Sequence, residues 1–310
     1  MTSRLVYGIQ LPIQSQSTMY AEGWEAGAGA AELAEIARTA DRTGFDYIAS
    51  CDHVGIPRRL ADAMSTTWYD PVATLSYLAG ITKNVRLMSH VAIVGLRHPL
   101  ATAKQYATLD HLSGGRLVLG VGAGHVQEEF EALGVDFARR GAVLDEAVDA
   151  LKAALGPEEY PEFKGERFSF SGLGQRPRPA QARVPVWVGG SSPAAVRRAA
   201  VKGDGWLPQG DPRERLPEQI AKLRRLREEA GVAAPITVGA ITEPLYVGRP
   251  SWHVGRRTVS GAPEAVAESL RAYGAMGVHQ IQVRFRSRSL RELTDQMAAF
   301  AAGVAPHLND

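Results

Sequence analysis

The chain has 310 residues, of which 45% are hydrophobic and 22% charged, with a formal net charge of +2 and a single cysteine. These proportions belong to a globular protein and exclude a disordered tail, a collagen and a coiled coil. So small a net charge creates no field to draw nucleic acid or an anionic membrane, and one cysteine cannot close a disulfide within the chain, which fits a reducing compartment.

In chain order, strand-like segments are expected at 6–11, 45–50, 85–93, 116–121, 184–188, 205–207, 236–247 and 278–285. Most are continuous apolar, β-branched runs, as parallel strands covered on both faces require. Amphipathic helices are expected between them, at 31–43, 71–80, 100–112, 142–155, 193–202, 216–230, 263–276 and 289–302. Along the first of these, Leu33, Ile36, Ala37 and Ala40 share a face. Glycine recurs at the helix-to-strand joints, at Gly44, Gly115, Gly203 and Gly277, where it takes the left-handed conformation that ends a helix. The middle interval between these glycines is the longest, and it holds a Pro- and Gly-rich insertion at 156–183 with a small hairpin around Phe163 and Phe168. Eight βα units without a break predict an α/β protein, a (β/α)8 TIM barrel with an insertion before strand 5, in one domain over 1–310. A doubly wound open sheet is the alternative. The N-terminus lacks a signal-peptide pattern, and no apolar run approaches the roughly 20 residues of a membrane helix, so a soluble, cytoplasmic protein is expected.

A barrel carries its chemistry at the C-terminal ends of its strands and in the loops that follow. In the run Gly120-Val121-Gly122-Ala123-Gly124, a dinucleotide fingerprint would need glycine at position 125, which is His125. The glycines read instead as a close approach of backbone to a flat ligand, or as a tight strand exit. Gly189-Gly190-Ser191-Ser192-Pro193 joins a strand to a helix, with Ser192 at the cap and Pro193 in the first turn. Free amides and the positive end of the helix dipole suit a phosphate there; the alternative is a capped helix without a ligand. His53, after Cys51 and Asp52, can relay a proton near neutral pH, while Cys51 reads as a buried apolar filler. His125, Gln127, Glu128 and Glu129 open the segment after the fourth strand, where an acid would protonate a substrate, orient a cofactor, or favour a helix N-terminus. His253, Arg256, Arg257, Arg284, Arg286, Arg288 and Arg291 fall in the last loops, as an anion site or as a solvated basic rim. No metal-ligand spacing and no G-x-S-x-G turn are present, so no metal site is expected.

Several of these motifs occur together. Asp52-His53-Val54, Tyr69-Asp70-Pro71, Arg97-His98-Pro99-Leu100, Leu112-Ser113-Gly114-Gly115-Arg116, Gly120 to Gly124, Glu129-Phe130-Glu131-Ala132-Leu133-Gly134, Pro185-Val186-Trp187-Val188-Gly189-Gly190 and Gly203-Asp204-Gly205-Trp206 stand in order along nearly the whole chain. This pattern resembles the bacterial-luciferase-like superfamily, and Asp52-His53-Val54 with Arg97-His98-Pro99 is most similar to its coenzyme F420-dependent oxidoreductase branch. The resemblance implies a (β/α)8 barrel, a homodimer, and a tricyclic cofactor across the C-terminal ends of the strands. It implies a cis peptide between His90 and Val91 that props the ring, with Ala92 beside it. Further cofactor contacts are implied at Asp52, Gly122 and Gly124, and a phosphate site at Gly189, Gly190, Ser191 and Ser192.

The implied activity is hydride transfer between the deazaflavin and a small organic substrate, with His53 in acid/base duty and Glu128 and His125 as further catalytic candidates. The alternatives are an FMN-dependent monooxygenase using reduced flavin and oxygen, and a non-catalytic flavin- or deazaflavin-binding protein. Two departures stand out. Position 125 is histidine where the sugar-phosphate-oxidising branch has an acid, and Pro57 stands where that branch has tryptophan, so glucose-6-phosphate is not an expected substrate. Met19, Tyr20, Trp24, Met64, Trp68 and Tyr69 would form an apolar pocket wall or a packed loop.

Overall fold

Short buried runs form eight strands: β1 (Val6–Gln10), β2 (Tyr47–Ser50), β3 (Arg86–Ser89), β4 (Leu117–Val121), β5 (Val186–Gly189), β6 (Gly205–Leu207), β7 (Thr237–Ile241) and β8 (Gln280–Val283). The computed structural model, which describes residues 4–18, 21–210 and 212–310, closes them into a barrel in the order β1-β8-β7-β6-β5-β4-β3-β2. Every pairing is parallel. Each strand is followed by a helix: α1 (Ala30–Arg42), α2 (Pro71–Ala79), α3 (Pro99–Ser113), α4 (Arg140–Leu155), α5 (Pro193–Lys202), α6 (Leu216–Glu229), α7 (Pro263–Ala275) and α8 (Leu290–Ala299). This is the expected (β/α)8 barrel.

The two-residue period of a strand divides the core. Ile48, Leu87, Leu119, Val188 and Ile281 belong to the large apolar layer shared with the helices, which includes Leu33 and Ile36 of α1. Tyr47, Ala49, Met88, Val118, Trp187 and Leu207 form a second buried cluster. Its rings reach across to neighbouring strands that carry glycine: a β-carbon at Gly8 would lie 2.3 Å from the Tyr47 ring, and one at Gly205 2.2 Å from Trp187. These packed side chains fill the barrel and leave chemistry to its rim.

Some expectations need correction. The single strand expected at 236–247 is two. β7 ends at Ile241, and after Pro244 a separate strand, Leu245–Val247, pairs in parallel with Val259–Gly261 outside the barrel. Pro244 supplies no amide to a ladder and biases Glu243 away from a regular continuation. Gly44, Gly115 and Gly277 have positive φ, but Gly203 does not, with φ −87°. Its glycine has a steric reason instead, since a β-carbon there would lie 2.8 Å from the Ala199 carbonyl oxygen. The segment 85–93 pairs regularly only to Ser89, after which the His90–Val91 peptide is cis. The insertion carries its hairpin as Phe163–Lys164 paired antiparallel with Ser169–Phe170. Among the described residues no helix is long and apolar enough to cross a membrane, and no group of three or more His, Cys, Asp or Glu could hold a metal.

Candidate active site

The C-terminal ends of β2, β3, β4 and β5 and the loops after them enclose a cavity of about 530 Å³. That volume lies in the range that holds small-molecule ligands.

Asp52 follows β2 and is buried, and both its oxygens are taken up inside the protein. Arg97 donates to them at 2.6 and 2.9 Å, and the Ile93 amide donates at 2.8 Å. The carboxylate therefore ties the end of β2 to the segment after the cis peptide. It borders the cavity, but as an orienting group rather than a free cofactor ligand.

His53 lines the cavity with a side chain only 7% exposed. Its Nδ1 lies 2.8 Å from Oε2 of Glu129, whose Oε1 accepts the amides of Val54 and Gly55. The Trp68 ring meets His53 edge-on at 4.4 Å between centroids, and His125 stands perpendicular at 5.4 Å. His125 is more open, on the cavity wall; burial is the main cause that pushes its imidazole down, with the His53 charge adding to it.

Glu128 is a correction. It forms a two-point ion pair with the exposed Arg59 and does not line the cavity. Glu129, which the sequence reading grouped with it but did not single out, is the acid that reaches His53. The available signal was helical geometry: successive residues of the short helix Gln127–Ala132 point about 100° apart, and Phe130 is fully buried, so only one of two adjacent acids can face the site. Cys51 corrects the filler expectation. It is half-buried and lines the cavity, Gln10 lies against its sulfur at 3.1 Å, and burial pushes its thiol up to about 11.

Beside this segment, at the end of β3, the cis peptide joins His90 to Val91. Val91 is seated against two glycines: a β-carbon at Gly122 would lie 2.3 Å from its Cγ2, and one at Gly189 2.6 Å from its Cγ1. The space those glycines leave is thus filled, at least in part, by Val91 itself. Ala92 continues the wall by bridging Val121 of β4. Gly124 has positive φ, and a β-carbon there would meet the Phe130 ring at 2.8 Å.

The turn after β5 holds itself open toward the cavity. Ser192 caps α5 by accepting from the Ala195 amide, and Ser191 Oγ exchanges hydrogen bonds with the backbone of Gln209. The Gly190 amide donates to Leu207, while those of Ser191 and Ser192 donate to no protein group among the described residues. Gln209 also donates its side-chain amide to Nε2 of His90 at 2.8 Å. That leaves the His90 proton on Nδ1, which is buried without a partner. Burial pushes this imidazole down to about 4. Arg198 of α5 also borders the cavity, its charge met by Asp145.

Among the last loops, Arg284 lines the cavity, whereas Arg286 pairs with Glu22 and Arg288 with Glu292. Met64 and Trp68 line the apolar side of the cavity; Met19, Tyr20 and Asp211 lie outside the described residues.

The luciferase-like monooxygenase family model matches residues 6–251. An uncharacterized protein of Mycobacterium tuberculosis, Rv0940c, is 38% identical over 53% of this chain and 56% of its own length. Rv3520c of the same organism, which bears the provisional name coenzyme F420-dependent oxidoreductase, is 30% identical over 66% of this chain and 61% of its own. The chain thus spans less than two thirds of the length of these relatives. The crystal structure of monooxygenase RslO1 from Streptomyces bottropensis shares the fold at a TM-score of 0.79, with 22% identity over 98% of this chain and 99% of that one. The closed barrel, the wall at His90–Val91 and the match over most of the chain lead to one conclusion: the protein belongs to the luciferase-like monooxygenase family.

Proposed function

We propose that the protein is a coenzyme F420-dependent oxidoreductase that transfers hydride between the deazaflavin and a small organic substrate. The carrying observation is the pairing, in one cavity, of a set of unengaged donors with a histidine held by a buried carboxylate. The donors are the unengaged amides of Ser191 and Ser192, at the N-terminus of α5, and the buried, partnerless Nδ1–H of His90. This set suits a flat ring that carries a phosphate and hydrogen-bond acceptors. His53, in the same lining, has no protein partner for Nε2 among the described residues. The sequence motifs and the name borne by Rv3520c favour F420 over FMN.

When bound, a deazaflavin would supply the hydride chemistry; the rest falls to the chain's own residues. Gly189, Gly190, Ser191 and Ser192 would hold the phosphate. His90, Val91 and Ala92 would form the wall behind the ring, with Gly122 and Gly124 beside it. His53 would take a proton from, or give one to, the substrate oxygen, and Met64 and Trp68 would exclude water from the apolar side. Asp52 holds the wall in place through Arg97 and Ile93.

Titration of the purified protein with F420 and with FMN, followed by fluorescence, tests the reading. Micromolar binding of F420 is expected. Micromolar FMN binding without F420 binding overturns it, and oxygen uptake with reduced FMN would then establish the monooxygenase alternative suggested by the likeness to RslO1. A homodimer is part of the proposal, and sedimentation equilibrium checks it.

A further inference from the structure

Glu129 has a side chain only 1% exposed, and its side-chain hydrogen bonds all lead to the segment that carries His53. We infer that Glu129 is the positioning residue of His53, fixing the imidazole with its proton on Nδ1 and leaving Nε2 as the atom presented to the cavity.

The reasoning starts from hydrogen-bond capacity. Oε1 of Glu129 accepts two backbone amides, from Val54 and from Gly55 at 3.1 Å, and Oε2 faces Nδ1 of His53 at 2.8 Å. An ionised carboxylate only accepts, so Nδ1 must be the donor. Burial by itself raises the Glu129 carboxyl. The His53 hydrogen bond and charge, with the Gly55 and Val54 amides, outweigh it and leave the group below its ordinary value. Whenever the ring is neutral, its lone pair then lies on Nε2, which bonds no protein group among the described residues, and the ring borders the cavity.

The orientation is secured from other directions too. Trp68 meets the ring at 68° and His125 at 89°. The titratable groups facing His53 are Glu129 and His125, both on the segment after β4; Asp52, its neighbour in sequence, is committed to Arg97. One carboxylate thus does two jobs. It anchors the backbone of the loop after β2, and it selects a tautomer. A merely structural anchor would need the two amides but not the imidazole.

The use of Nε2 as an acid/base atom rests on the oxidoreductase reading above; the tautomer does not. The test is therefore made on the ligand-free protein labelled with 15N-histidine, by two-bond 1H–15N correlation at neutral pH, with His53 assigned through His53→Ala. The expected result is an Nδ1–H tautomer in the natural protein. It should switch to Nε2–H in Glu129→Gln, whose amide can keep one oxygen for the backbone while presenting N–H to Nδ1. Glu128→Gln should leave the spectrum of His53 unchanged.

An Nε2–H tautomer in the natural protein, or an unchanged tautomer in a folded Glu129→Gln, overturns the inference. Should that variant not fold, the natural protein's spectrum still decides, and Glu129→Asp is expected to keep the proton on Nδ1. F420 titration of the same samples separates the two claims. No F420 binding alongside an Nδ1–H tautomer would remove the cofactor reading and leave the Glu129–His53 pair supported.

Discussion

Asp52 and Arg97 meet through two parallel hydrogen bonds, Oδ2 to Nη1 at 2.6 Å and Oδ1 to Nη2 at 2.9 Å. The carboxylate is 1% exposed and the guanidinium 29%, so the pair spans from the interior to the rim. With the Ile93 amide on the same carboxylate, it couples the loops after β2 and β3, the two that carry His53 and the cis peptide. Removing one partner strands the other. Asp52→Asn is expected to lower stability by about 2–4 kcal/mol, below the full range for a buried pair because Arg97 is partly solvated. Urea unfolding measures it. Arg97→Lys should not restore the loss relative to Arg97→Ala, because an ammonium cannot make the two-point contact; full recovery with lysine would show that charge alone suffices.

His53→Ala separates an enzyme from a carrier. The amides of the turn after β5 are untouched by the change, so F420 binding should persist. Turnover, followed by deazaflavin absorbance with whichever small organic substrate a screen identifies, should fall about a hundredfold or more. Undiminished turnover would remove His53 from the chemistry.

The contact between Val91 and Gly122 makes a steric prediction. A β-carbon at Gly122 would lie 2.3 Å from Val91 Cγ2, so Gly122→Ala forces the wall to shift, at a cost of about 1–3 kcal/mol. Adding Val91→Ala removes the obstructing methyl. The double variant should be less destabilised than the two single effects summed, and that non-additivity reports direct contact. Strict additivity in thermal or urea melts would argue that the two positions do not touch.

His90 gives a pH prediction with a definite sign. Burial lowers its folded-state value from 6.5 to about 4. Between those values the unfolded chain takes up a proton that the native state refuses, so stability falls as pH drops from about 6.5 to 4. The contribution is about 3 kcal/mol when complete. Urea unfolding of His90→Gln should lose about 2–3 kcal/mol less than the natural protein between pH 7 and 4.5. Equal losses would mean that His90 is protonated in the folded protein.

Much of the site was legible as sequence because it follows from backbone requirements. Apolar β-branched runs alternating with amphipathic helices specify parallel strands covered by helices, and a barrel puts its loops at one end. The turn at Gly189 to Ser192 announces itself by a cap, a proline and two glycines, all of which act on their own segment. Pro244 is a local signal of the same kind; it ends the regular strand, and reading 236–247 as one run overlooked it. Gly203 shows the opposite case, a glycine whose reason is a neighbouring carbonyl rather than its own dihedral angle.

By itself, then, the sequence determined the barrel, the end that carries the site, and the loops in which His53, His90 and Ser192 lie, because these depend on periodicity and on turns a few residues long. Tertiary structure alone decided which side chains meet. Glu128 and Glu129 are adjacent and chemically equal, yet the rotation of their short helix, fixed by burial of Phe130, sends one to Arg59 at the surface and the other to His53. Val91, Gly122 and Gly189 come from three different strand ends and touch because β3, β4 and β5 lie side by side in the sheet. Such contacts join residues far apart in the chain, and no periodicity within a segment encodes them.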